Sequence, residues 1–339
     1  MKKYRLILFL LLMLALICCL SACVRIEKPD SPPVPPPETP DAEPVDPLQL
    51  TMATGATSGN YYPFGNVLSQ IIEDASDYIK IDIMATTASV ENIEKLAAGE
   101  VLLAIAQNDV AYYAFNGAGI WQNSPAVSTL TSLMSLYPEI CQLVVYADSH
   151  IESVADLSGK RVAMGDEGSA VHMTALQILE AYHLSPEDIE PQYMSFSAAA
   201  EAMKERTIDA FFVTIGTPNR GIMDLQAACD INIIGLDEEA IEELMGNFPF
   251  YTKVTLSEND YSFLTEPVDT VAVQATLVAD FSLSRQAAYD IVKAIIEGRD
   301  KLAVAHAKGS FVSAESAVSG LGVRLHPGAQ RYFREIGVL

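Results

Sequence analysis

From residue 48 onward the chain repeats one unit: a short apolar run, a corner of glycine and small hydroxyl residues, then an amphipathic stretch of helical period. In the first unit Leu48, Leu50 and Met52 precede the corner Thr54-Gly55-Ala56-Thr57-Ser58-Gly59-Asn60-Tyr61. Phe64, Val67, Leu68, Ile71 and Ile72 follow at the i, i+3, i+4, i+7, i+8 spacing of a half-buried helix. A strand that turns through such a corner into a helix leaves backbone N–H groups unpaired beside hydroxyls, a setting that can hold an anion. Strands alternating with helices confine the chain to the α/β class with mainly parallel sheets, and place ligand loops at the carboxyl ends of the strands.

The alternation predicts strands at 79–84, 101–106, 140–146, 161–164, 192–196, 208–213, 231–234 and 269–278. Ser89, with Asn92 nearby, is expected to cap the helix carrying Val90, Ile93, Leu96 and Ala97. A second glycine- and serine-bearing loop, 165–169, precedes a helical pattern of Val171, Ala175, Ile178, Leu179 and Tyr182, and Pro218 suits the first turn of a later helix. Two successive β/α sets, joined near 147–152 and again near 248–258, predict two lobes around a cleft. The first lobe takes 49–149 and 256–339, and the second takes 150–255.

The N-terminus bears on location. Lys2, Lys3 and Arg5 precede an almost unbroken apolar run over 6–20, which ends at Leu20-Ser21-Ala22-Cys23. Residues 1–22 are read as a secretory signal with a lipobox, which makes Cys23 the lipid-bearing residue. The run is short for a transmembrane anchor across a ~30 Å hydrocarbon core. Residues 23–48 are dense in proline, which fills neither helix nor sheet ladder, and form an extended tether. The expected location is extracytoplasmic, on the membrane by a lipid anchor.

Composition then excludes classes of partner. A net charge of −23 opposes nucleic acid, whose binding rests on cationic contacts to phosphate. An anionic ligand must therefore be held by local donors. Cys141 and Cys229 read as two small buried hydrophobes. His150, His172, His183, His306 and His326 are scattered, with surface or capping roles, and no metal or cofactor motif stands out. Neither a G-x-S-x-G elbow nor a Cys–His pair is present in the sequence, and Gly55 and Gly59 do not fit a nucleotide-binding glycine spacing. The chain is not expected to be an enzyme.

Eight segments, in order and spacing, carry a resemblance: ATGATSGNYYPFGNVLSQII, TTASVENIEKLAAGE, AIAQNDVAYYAFNG, SLYPEICQLVVYADSHIESVADLSGKRVAMGDEGS, IDAFFVTIGTPNRGI, NFPFYTKVTL, DTVAVQATLVA and LHPGAQRYFREIG. Over nearly all of 49–339 the chain resembles the TAXI family, the extracytoplasmic solute-binding receptors of TRAP transporters. The resemblance implies a two-lobed type II periplasmic-binding-protein fold with a central ligand cleft. It further implies capture of a small carboxylate, such as glutamate or a dicarboxylate, and delivery to a TRAP permease in the membrane. An ABC-type importer binding protein or a ligand-presenting signalling receptor on the same fold is the alternative.

Carried over by position, the implied contacts are Thr57, Ser58, Gly59, Asn60 and Tyr61 in the opening loop. Thr87, Ser89 and Val90 follow in the second loop, with Gln107 and Asp109 at the third strand end. Gly168, Ser169, Ala170, Val171, Gly216, Thr217 and Pro218 come from the other lobe. Hydroxyls, amides and helix N-termini can bind a carboxylate, and Asp109 could accept from an ammonium. The opening loop departs from the family in Ala56 and Asn60. Arg220 is a further departure, either a clamp turned into the cleft or part of a solvated helix face.

Overall fold

The computed structural model describes residues 47–57 and 59–339. The expected signal, Cys23, all but the last two residues of the tether, and Ser58 lie outside the described residues.

The first half of the fold follows from the repeated unit. Strands β1 (Leu48–Ala53), β2 (Ile79–Met84) and β3 (Leu103–Gln107) alternate with helices α1 (Tyr61–Ala75), α2 (Ser89–Ala97) and α3 (Asn108–Asn116). Such crossovers force parallel pairing, and β1 lies between β2 and β3, parallel to both. Phe64, Leu68, Ile71 and Ile72 of α1 bury their shared face against Leu50, Met52, Ile79 and Ile105 of the sheet. Ile93 and Leu96 of α2 pack on the opposite face with Ala104, Ala106 and Val110.

The chain then runs through β4 (Leu130–Tyr146), a strand of 17 residues. In the second half come β5 (Arg161–Ala163), α4 (Ala170–Ala181), β6 (Glu190–Gln192), α5 (Phe196–Lys204), β7 (Ala210–Ile215), α6 (Arg220–Ala228), β8 (Ile231–Ile234), α7 (Glu238–Asn247) and β9 (Thr252–Leu256). The chain returns along β10 (Val268–Asp280) and ends in α8 (Arg285–Glu297), α9 (Arg299–Ala305) and α10 (Pro327–Glu335), of which α8 and α10 pack into the core of the first half. The strand order is β2-β1-β3-β10-β4-β7-β5-β6, with β8 added on β4 and β9 on β10.

Each half is parallel within itself, but β4 and β10, which join the halves, run antiparallel to one another. The sheet is therefore mixed. The first part of β4 pairs with β10, and from Ile140 onward it pairs with β7 and β8. Residues 147–152, expected as a junction, follow the far end of β4.

Along the second part of β4, Leu143 and Val145 enter one apolar cluster while Val144 and Tyr146 enter the other, the period-two consequence of a strand covered on both faces. Residues 130–139 were not expected as a strand: Thr131, Ser132 and Ser135 fall without a period-two alternation, all are buried, and the segment contains Pro138. Beside that proline the β4–β10 register shifts, between Ala275 and Thr276.

Three further expectations are corrected. Residues 192–196 do not continue as strand, because the Ser195 hydroxyl accepts from the Ala198 N–H and caps α5. Pro218 lies outside the first turn of α6, whose cap is Asn219, accepting from Ile222 N–H. Cys141 is buried but Cys229 only half-buried, and both are free thiols. His306 and His326 serve as helix caps.

Among the described residues no helix is long and apolar enough to cross a membrane.

Candidate functional site

Three strands of the first half are tied together beneath the opening corner. Asn92, fully buried on α2, donates its amide to the carbonyls of Thr54 (2.5 Å) and Ile105 (2.8 Å). Its amide oxygen accepts from the Thr86 hydroxyl at 2.6 Å. Thr54 closes the set by donating to the Met84 carbonyl at 2.7 Å. One side chain thus joins Thr54 just past β1 and Thr86 two residues past β2 to Ile105 within β3, satisfying groups that would otherwise be left unpaired.

Above this knot lies a cavity of about 370 Å³, the size of a small-molecule pocket. The first half supplies Gly55, Ala56, Gly59, Asn60 and Tyr61 from the opening corner, Thr87, Ala88, Ser89 and Val90 from the second, and Gln107 from the end of β3. The second half closes it with Ser169, Ala170 and Val171 at the start of α4 and Thr214 and Ile215 on β7. The amino ends of α1, α2 and α4 therefore border one space, each presenting the unpaired N–H groups of a first helical turn.

Glu139 of β4 also lines the cavity. It is only 6% exposed. Its Oε2 accepts from the Tyr61 hydroxyl at 3.0 Å and the Gln107 amide at 2.7 Å. Burial pushes its carboxyl up to about 7, against the pull of those two donors and of the Lys308 ammonium. Lys308 is itself buried, which lowers its ammonium to about 8, and it donates to the Thr217 carbonyl. Among the described residues lining the cavity there is no lysine, arginine or histidine.

Of the residues expected at the site, Gly59, Asn60, Tyr61, Thr87, Ser89, Val90, Gln107, Ser169, Ala170 and Val171 are brought to the cavity. Several are already engaged. Thr87 donates to the Glu91 carboxylate at 2.8 Å. Ser89 does not cap its own helix, where Ala88 holds the cap position; its hydroxyl accepts from the Gln107 N–H at 3.1 Å and braces the end of β3. Ser169 caps α4, accepting from His172 N–H at 3.2 Å.

The remaining expected residues lie elsewhere. Thr57 is exposed and off the cavity wall, and Gly168 precedes the α4 cap, its N–H donating to His172 Nδ1. Gly216 packs on Lys308, Thr217 donates to Asp260 at 3.0 Å, and Pro218 borders a separate depression with Tyr261 and Phe263. Asp109 is 2% exposed behind the wall, with Oδ1 unpartnered, and burial raises its carboxyl to about 7. Arg220 is on the solvated face of α6, beside Asp224 at 3.6 Å.

Sequence reasoning missed Gly55, Ala56, Ala88, Glu139, Thr214 and Ile215. A signal for Glu139 existed: it is the only acid among residues 130–146.

Two sheet halves joined by a pair of long strands, with helix N-termini converging on a cavity between them, define the periplasmic-binding-protein architecture of type II. A solved structure from Methylobacillus flagellatus KT, assigned as the periplasmic sulfonate-binding protein SsuA of an ABC transporter, has this fold. It is similar at a TM-score of 0.51 with 15% identity, covering 86% of this chain and 85% of that one. The alkanesulfonate-binding protein SsuA of Xanthomonas axonopodis pv. citri, bound to MOPS, reaches 0.49 at 18% identity, over 86% and 85% of the two chains. A Bacillus subtilis structure, ytmK, assigned as an amino-acid ABC transporter extracellular-binding protein, reaches 0.49 at 12%, over 77% and 96%.

A profile of the NMT1-like family matches residues 52–337, and the chain belongs to that family.

Proposed function

We propose that the protein is an extracytoplasmic solute-binding receptor, which captures a small polar solute between its two halves and hands it, unconverted, to a membrane importer. The observation that carries this reading is the cavity itself, walled by strand-to-helix corners from both halves of one sheet. Closure of the halves about the β4–β10 pair would expel water and strengthen each donor's hold on the solute. Release of the solute unconverted is part of this proposal, and incubation of the bound solute with the protein, followed by analysis for product, tests it.

The importer is proposed to be of the ABC type. The Methylobacillus structure, which shares the fold, is assigned to an ABC transporter, and this supports the second reading of the sequence over a TRAP permease. The TRAP reading keeps the segment-by-segment resemblance in its favour. Uptake into vesicles carrying the cognate permease decides between them: ATP dependence is expected, and uptake driven by an ion gradient alone would restore the TRAP assignment.

The capture site is tested by Val171→Trp, which fills the cavity. Calorimetry against the solute that stabilises the parent is expected to show binding abolished with the fold retained by circular dichroism. Unimpaired binding would remove the cavity from the function, and appearance of a product would remove the receptor reading.

A further inference from the structure

We propose that Glu139 is the specificity-determining residue of the cleft, and that its free Oε1 receives a primary ammonium of the solute, so that amine-bearing solutes are selected over anions of the same size. This rests on the cavity being the capture site.

The geometry is asymmetric. Both protein donors, Tyr61 and Gln107, bind Oε2. Oε1 has no partner among the described residues, while the residue is 94% buried and lines the cavity. A carboxylate oxygen so placed meets the cavity without a protein donor, and a ligand N–H⁺ supplies that bond. The Lys308 ammonium behind the wall pulls on Glu139, but it is held by the Thr217 carbonyl and does not line the cavity, so a carboxylate or sulfonate seated against Glu139 meets the acid with no cation of the wall beside it. An acid group on the same solute has a separate place, at the amino ends of α1, α2 and α4. The solute class is thus a small amine, and where it also carries an acid group it is a zwitterion whose two ends are read by different elements.

Several groups face Glu139 from the surrounding elements. Tyr61 comes from α1, Asp109 from α3, Tyr137 and Cys141 from β4 itself, and Lys308 from the turn after α9. Tyr61, Tyr137 and Cys141 are held protonated by burial at any ordinary pH. With its carboxyl near 7, Glu139 is the acceptor above that pH and loses that role below it. Asp109 titrates in the same range but does not touch the cavity.

The test uses the purified full-length chain and matched probes: L-glutamate against glutarate, taurine against ethanesulfonate, and a set of common amino acids and polyamines against amine-free acids. At pH 8 the best-bound probe is expected to carry an ammonium and to exceed its amine-free counterpart. Glu139→Gln, which keeps a partner for Tyr61 and Gln107, should weaken that probe roughly 10- to 100-fold. Affinity in the parent should fall as pH drops through about 7. That dependence should vanish in Glu139→Gln and persist in Asp109→Asn, with the melting temperature of each solute-free variant confirming the fold. An amine-free acid bound as tightly as its amine at pH 8, or an unchanged preference in Glu139→Gln, overturns this inference and leaves the receptor reading intact. Failure of every probe to bind overturns both.

Discussion

Asn92 concentrates more structural consequence than any glycine of the corners. Its amide is the common partner of Thr54, just past β1, of Thr86, just past β2, and of Ile105 within β3, beneath the corners that border the cavity. Asn92→Ala leaves buried carbonyls without donors and is expected to cost about 3 kcal/mol, read as a lower urea midpoint with an unchanged slope. Gly165 is the other sensitive residue. Its φ of +83° is in the left-handed region, and an added Cβ would lie 2.8 Å from the Val171 side chain. Gly165→Ala is expected to destabilise by at least ~1 kcal/mol and to weaken solute binding, because Val171 is displaced at the cavity wall. Calorimetry together with thermal melting separates the two effects.

At the scale of elements, the corners were legible from their composition but the use of their hydroxyls was not. Small hydroxyl residues before an apolar helical period announce a helix start, and the starts of α1, α2 and α4 do border the cavity. Whether a given hydroxyl caps its own helix depends on what folds beside it. Ser169 caps α4, whereas Ser89 is drawn to the N–H of Gln107 on a neighbouring strand. Ser169→Ala is therefore expected to cost about 1 kcal/mol, and Ser169→Gly only a few tenths, as measured by denaturant midpoints. The 214–218 region shows the same limit. The sequence pointed to Gly216, Thr217 and Pro218, yet β7 extends to Ile215, so the cavity is met by Thr214 and Ile215 and the following loop turns toward Asp260 and Lys308.

For the whole molecule, two buried carboxyls set the pH dependence of stability. Asp109 and Glu139 are each raised to about 7 from ordinary values of 3.8 and 4.5. Between those limits the native state holds protons that the unfolded chain has released. Stability from these groups therefore falls as pH climbs through about 7 and is constant above. Ion-paired Asp209 and Asp269, held below the usual range by Arg161 and by Thr255 with Lys253 respectively, act oppositely and lose their contribution in stronger acid. The melting temperature of the solute-free protein is expected to be higher near pH 5.5 than at pH 8, and Asp109→Asn should flatten the difference. Equal melting at the two values would show that neither carboxyl is held protonated.

The periods of the chain alone determined its class of fold, because a 3.6-residue stripe and a short apolar run need different partners to be covered, and their alternation leaves few arrangements. They also marked the helix starts at which a solute could be held. What faces the cavity was decided by tertiary structure. Strand β4 is covered on both faces, so its pattern marks Glu139 only as a lone acid in an apolar run and does not say what that acid faces. Only the pairing of β4 with β10 and β7 brings that carboxyl to Gln107, 32 positions away, and Tyr61, 78 positions away. Local periodicity carries no information about contacts at such separations, since they exist only once the sheet has closed.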